Sequence, residues 1–203
     1  MTIWILFILP FPLTVMAIEE PKFNLLEKSD AFELREYKPV IVAEVLVEGD
    51  LDEVSNKGFR LIADYIFGNN RAQSGASEKI AMTAPVTVEP KTEKIAMTAP
   101  VTVQQGSGKW RVYFVMPSQY TLETLPTPNN PKVMLREVPS RKVAVVRFSG
   151  LAGESKTASK TKELLAWLAT RQLKPISTPE LARYNPPWTL PFLRRNEVMV
   201  EYN

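Results

Sequence analysis

Apolar and polar residues alternate along Ala31–Tyr37 (AFELREY) and Pro39–Val47 (PVIVAEVLV), so the chain is expected to open with two strands joined at Lys38-Pro39. The period then turns helical. Asp50 or Asp52 offers an N-cap, Asp52 and Glu53 place negative charge where the helix dipole favours it, and Gly68-Asn69-Asn70 is a stop. A polar loop is expected over residues 71–77 (RAQSGAS), and a further strand over Lys109–Met116. Beyond the proline-rich Leu125–Pro131, strands are expected at Lys132–Val138 and Arg141–Phe148, then a helix from about Ser155 to Gln172. In that helix Leu164, Leu165 and Leu168 form an apolar stripe beside Ala158 and Ala169, with Lys156, Lys160 and Lys162 toward water. Ala182–Leu193 (ARYNPPWTLPFL) reads as irregular, and Asn196–Tyr202 as the closing strand. Strand, strand, helix and further strands thus occur twice. That order predicts an α+β domain with a curved sheet or barrel, two helices and two similar halves about a pseudo-twofold axis.

Eleven residues, Glu78–Val88 (EKIAMTAPVTV), recur unchanged as Glu93–Val103. Each copy reads as a strand. The proline of each, Pro85 or Pro100, cannot donate to a ladder and marks an edge, bulge or bend. Two copies are too few for a solenoid, so the repeat belongs inside one domain. Met82 and Met97, one per copy, read as core filler rather than metal ligands.

Composition narrows the chemistry. The 203 residues suit one sizeable core, and 25 basic against 22 acidic residues, with no long basic run, do not suggest nucleic acid. The chain has no cysteine and no histidine, which removes thiolate and imidazole metal sites, disulfides, cysteine nucleophiles and any Ser-His dyad. An iron porphyrin here would have neither imidazole nor thiolate as its axial ligand. Met1–Ala17 (MTIWILFILPFPLTVMA) is an apolar run ending in Val15-Met16-Ala17, a small-residue terminus of the signal-peptidase kind. The expectation is an exported domain, with a membrane anchor if the segment is retained. A monomer without stable membrane insertion is expected once it is removed.

Two surfaces are candidates for ligand contact. At 100° per residue the first helix has Val54, Gly58, Leu61 and Tyr65 on one face and Phe59, Ile62, Ala63 and Ile66 beside it, an apolar sector of roughly 200°. Either the second face is left for a ligand or partner, with Phe59 and Ala63 open and Leu61 in the core, or the helix is sunk deeper into its own core. Tyr184 and Trp188 stand on a proline-stiffened loop that also carries Phe192, followed by Arg194 and Arg195. Rings beside two guanidinium groups suit a flat apolar body with carboxylate edges, and covering the end of the barrel is the other reading of this loop.

Glu78–Val88, Lys109–Leu125 (KWRVYFVMPSQYTLETL), Val138–Gly150 (VPSRKVAVVRFSG) and Arg183–Val198 (RYNPPWTLPFLRRNEV) together resemble the SOUL family of haem-binding proteins over a domain of residues 27–203. The resemblance implies a distorted antiparallel β-barrel flanked by two helices with internal pseudo-symmetry, of the SOUL and gyrase-inhibitor-like effector-binding fold. It implies non-enzymatic binding of haem or another tetrapyrrole in a hydrophobic groove between the first helix and the loop before the last strand. The positions matching the family's basic contacts hold Asn56, Asp64 and Thr189, which leaves Lys57, Arg60, Arg194 or Arg195 for the carboxylates of a porphyrin partner. In the wider gyrase-inhibitor-like superfamily some members bind cationic small molecules or hydrolyse electrophiles with a pocket glutamate. Glu197 is the candidate for that alternative, or else a salt-bridge partner of Arg194 or Arg195. A protein-interaction module built on the wide face of the first helix is a third reading.

Overall fold

The computed structural model describes residues 18–90 and 109–203. The strands are β1 (Phe23–Ser29), β2 (Phe32–Tyr37), β3 (Val40–Glu48), β4 (Asn70–Arg71), β5 (Val86–Pro90), β6 (Lys109–Val115), β7 (Thr127–Pro128), β8 (Met134–Val138), β9 (Arg141–Phe148), β10 (Glu180–Arg183) and β11 (Asn196–Glu201). The helices are α1 (Leu51–Ile66) and α2 (Glu154–Thr170), with a 3₁₀ turn at Pro191–Leu193. Nine strands form one curled antiparallel sheet in the order β1-β2-β9-β11-β10-β5-β6-β3-β8. Exchanging β2 with β8, β3 with β9, β5 with β10 and β6 with β11 reproduces that order read backwards, so the expected pseudo-twofold runs between β10 and β5. Of the nine, only β1 falls outside the symmetry, and β4 and β7 pair apart as a two-stranded sheet.

Alternation on the strands separates two faces. Leu34, Ala43, Val45, Val88, Val112, Phe114, Ala144, Val146, Leu181 and Val198 point to the helix face and form the main core with α1 and α2. Asp50 caps α1, its Oδ1 accepting from the backbone N–H of Asp52 at 3.1 Å and of Glu53 at 2.8 Å. Gly58 lets α1 approach β6 closely, because a Cβ there would lie 2.5 Å from Val112 Cβ. On α2, Leu164 and Leu168 are buried as expected and Leu165 partly so. Ala158 and Ala169 are exposed instead of joining the stripe.

Several expectations are corrected. The first repeat copy is a strand only from Val86, after the cis Ala84-Pro85 bond; Glu78–Ala81 instead passes the end of α1, with Ile80 N–H donating to Ile66 O at 2.9 Å. Pro85 precedes a central strand, where its missing N–H costs no ladder bond. The second copy, like Met1–Ala17, lies outside the described residues. β1, whose residues are mostly exposed, was not expected, since an edge strand without a buried face does not alternate. Ala182 and Arg183 belong to β10, and Pro191–Leu193 forms a helical turn, so the stretch before the last strand is more regular than its prolines suggested.

Candidate ligand-binding site

α1 settles the question its width raised. Ile62 and Ile66 are fully buried and Ala63 nearly so, while Leu61 is only partly buried. The expectation of an open Phe59, Ile62, Ala63 and Ile66 face with Leu61 in the core is therefore corrected for all but Phe59. The cause is the covering of the helix's C-terminal half by segments that read as loops. Tyr65 OH donates to Pro126 O at 2.9 Å, Asn70 Nδ2 donates to Tyr65 O and Glu78 O, and Ser77 Oγ lies against Gly68 O. Phe59 remains 36% exposed, its ring 5.7 Å from that of Phe114. Arg60 is exposed and enters no hydrogen bond or ion pair among the described residues, whereas Lys57 is taken by Glu53 at 2.5 Å. Asn56 and Asp64 are exposed, and Asp64 accepts from Asn69 Nδ2.

The loop between β10 and β11 is held at its neck and free at its tip. Tyr184 N–H donates to Arg195 O at 3.1 Å, and Arg195 N–H donates to Asn185 Oδ1 at 2.6 Å. Arg194 is spent on the loop itself: its Nε donates to Thr189 O at 2.7 Å and its Nη2 to Pro187 O. Arg195 lies 3.4 Å over the Tyr184 ring and pairs with Glu20 at 2.5 Å. Neither guanidinium is thus free to meet a ligand carboxylate, which corrects that expectation for both. Gly150 N–H donates to Pro191 O at 2.9 Å, fixing the tip beside the turn that carries Leu151. The result is an unburied apolar ridge in which Trp188 is 84% and Phe192 70% exposed, with Leu151, Leu190 and Leu193 exposed around them.

Ridge and helix face the same side. Arg183, the last residue of β10, donates to Asp52 Oδ1 at 3.0 Å and to Ala152 O at 2.8 Å. Asp52 and Phe59 lie within about 20° of one another around α1, some 10 Å apart along it. Arg183 thus ties the foot of the Trp188 loop and the Leu151 turn to the N-terminal end of α1, on the side of the helix that carries Phe59.

Glu197 points to the other face of the sheet and is fully buried. Arg35 grips it bidentately at 2.8 and 3.1 Å, and Tyr184 OH donates to it at 2.7 Å. Arg195 Nε stands 3.5 Å away, so the main partner is Arg35 rather than the expected Arg194 or Arg195. Burial opposes the charge on Arg35, but the Glu197 carboxylate and Tyr37 more than offset it and hold the guanidinium above its ordinary pKa. Burial, with Glu197 beside it, likewise raises the Tyr184 hydroxyl. Two more charged clusters share this face. Arg141 joins Glu180 and Glu201, with Tyr113 OH donating to Glu180, and Arg111 joins Glu89 and Glu44. Glu89 is pushed up to about 7 by burial and by Glu180, against the pull of Arg111. Residues 18–22 run along the edge of this face: Ala84 N–H donates to Glu19 O, Ser118 N–H to Glu19 Oε1, and a cavity of about 390 Å³ lies between Glu19, Lys22, Lys38, Ile41, Tyr120 and Glu137. No residue of α1 lines it.

Among the described residues no group of His, Cys, Asp and Glu could hold a metal ion, and Met82 is packed against the core. The SOUL heme-binding protein family matches the sequence over residues 18–201. The chain belongs to the SOUL family. No curated protein matches it in sequence. Solved structures similar to this SOUL domain include the EcmrR C-terminal domain (11% identity, 85% of this chain and 96% of that one, TM-score 0.61). An uncharacterized conserved protein from Listeria innocua is alike (12%, 85% and 92%, 0.62), as is a hydrolase from the same organism (11%, 88% and 94%, 0.57). At these identities the likeness shows the fold, and function belongs to the site.

Proposed function

We propose that this SOUL domain is a non-enzymatic binder of haem or another tetrapyrrole, held on the surface bordered by Phe59, the Leu151 turn and the Trp188 loop. The observation that carries the reading is the hydrogen-bonded loop with its rings left out of the core, a contiguous exposed apolar patch of the kind that marks a ligand or partner surface. A planar macrocycle offers faces to Trp188 and Phe59, and binding would rest mainly on apolar burial. Arg60, without a partner among the described residues, is the α1 cation for a propionate, while Arg194 and Arg195 shape the wall. With no histidine or cysteine in the chain, bound iron would have no imidazole or thiolate from the protein, and the Soret band should lack a bis-imidazole signature.

Glu197 supports hydrolysis poorly. A buried carboxylate held by two guanidinium N–H groups and a tyrosine hydroxyl has little capacity left to accept from a water or face a cation. Export by residues 1–17 belongs to the same proposal and rests on their sequence alone. Haemin titrated into the purified protein and followed by visible absorption tests the reading. A saturable Soret shift that weakens in Phe59→Asp is expected, and the absence of any saturable shift refutes it.

A further inference from the structure

We propose that the Trp188–Leu193 ridge seats this domain on a lipid bilayer, beside the point where the N-terminal apolar run joins the fold. The inference assigns a partner to one wall of the proposed ligand surface and does not depend on what that surface binds.

Three observations carry it. The ridge is a strip of aromatic and leucine side chains, Trp188, Leu190, Phe192 and Leu193 with Leu151, all more than half exposed. It is stiff, because Arg194 closes the loop from inside, the neck is hydrogen bonded, and Pro186, Pro187 and Pro191 restrict its backbone. Little backbone ordering entropy remains to be lost on contact. Finally, Glu20 is ion-paired to Arg195 at the loop's neck, and Ile18, itself exposed, stands two residues before it. The run MTIWILFILPFPLTVMA therefore meets the domain at the foot of the same loop.

The composition of the ridge, aromatic and leucine side chains beside the junction with a 17-residue apolar run, favours lipid over a protein partner. Lipid requires no complementary shape, and Trp suits the headgroup level where its ring is half in hydrocarbon. A single weak apolar contact is released easily, whereas two adjacent ones hold. In the chain that retains residues 1–17 the ridge and the N-terminal run supply the two, and the ridge alone should leave the domain soluble.

The absence of cysteine makes a clean test available. In the full chain, Trp188→Cys, Phe192→Cys and, as control, Lys132→Cys each introduce the only thiol, to be labelled with a polarity-sensitive fluorophore. Lys132 follows Asn129, which is hydrogen bonded to Asn69 beyond the far end of α1, a helix about 24 Å long whose other end carries Asp52. Reconstitution uses phosphatidylcholine vesicles with and without phosphatidylglycerol. The expected result is blue-shifted emission at positions 188 and 192, quenched by a lipid-borne nitroxide, with solvent-like emission at 132. The same response in a Phe59→Asp background, where haemin binding is expected to be weakened, separates this inference from the proposed function. Solvent-like emission at 192 on protein that floats with the vesicles overturns it, as does failure to float. A blue shift that lipid nitroxide does not quench overturns it as well, because the cover is then protein, either residues 1–17 or a second copy.

Discussion

Replacing Glu197 by Gln separates a structural glutamate from a functional one. In the wild type the Glu197 carboxylate is 1% exposed, and it accepts two bonds from Arg35, whose side chain is 4% exposed, and one from Tyr184. Removing one partner of a buried pair costs about 3–5 kcal/mol because the other charge stays behind uncompensated. Two features place this variant at the lower end. Gln retains one acceptor oxygen, and Glu33 still pairs with Arg35 at 2.7 Å. A loss of about 3 kcal/mol, with a urea dependence of about 2 kcal/mol per molar, moves the unfolding midpoint down by roughly 1.5 M. Far-ultraviolet circular dichroism against urea reads it, and haemin binding, measured where the variant is still folded, should be unchanged. A second arm removes both charges: Arg35→Met with Glu197→Leu should recover most of the loss, since an apolar pair of similar volume has no desolvation penalty to offset. A Glu197→Gln midpoint equal to wild type, or loss of haemin binding in the fully folded variant, would refute the assignment and return Glu197 to the functional site.

Gly58→Ala should cost about 1–3 kcal/mol, because the new Cβ meets Val112 side-chain atoms at 2.5–2.7 Å and a buried valine on a central strand has nowhere to turn; thermal unfolding checks it. Trp188→Ala and Phe59→Asp should weaken haemin binding with little loss of stability, while Ile62→Asp should unfold the domain by burying an unpaired carboxylate, three results read by absorption titration and urea unfolding on the same samples. For Glu89 the folded value of about 7 lies above the unfolded 4.5, so the native state binds the extra proton between those pH values. Stability then falls as pH rises through that window, by at most about 1.4 kcal/mol per pH unit, and Glu89→Gln should flatten the slope.

Much of the helix face was readable from sequence because its signals are local. Alternation in AFELREY and PVIVAEVLV, the Asp50 cap and the leucine stripe of α2 each act over a few residues, and each element formed close to where its pattern placed it. β1 and β10 escaped for different local reasons. The exposed edge strand FNLLEKS has no buried face to impose a period, and ELAR is only four residues long between proline-rich stretches.

The other face of the sheet was hidden for a different reason, and that reason bears on function. Arg35 and Glu197 stand 162 residues apart, so nothing local announces that they meet. What the sequence did show, and what could have been weighed, is charge at alternate positions of apolar strands: Glu33 and Arg35 on β2, Arg111 on β6, Glu197 on β11. Charges on strands whose opposite face is core must be solvated or paired with one another, and burial decides for pairing here. The same logic divides the candidate binding residues. Ile62, Ala63 and Ile66 lost their ligand surface to burial, with Ile80 in the same core cluster and bonded to Ile66 O and Pro126 bonded to the neighbouring Tyr65, contacts from outside the helix that helical geometry alone cannot foresee. Arg194 and Arg195 lost theirs to carbonyls and a ring within the same loop. Trp188 and Phe192 kept theirs because those bonds stiffen the loop while leaving its tip with nothing to pack on. An apolar tip held on a hydrogen-bonded frame, rather than any motif, is what the ridge offers, and the proposed contacts with ligand and lipid rest on that combination.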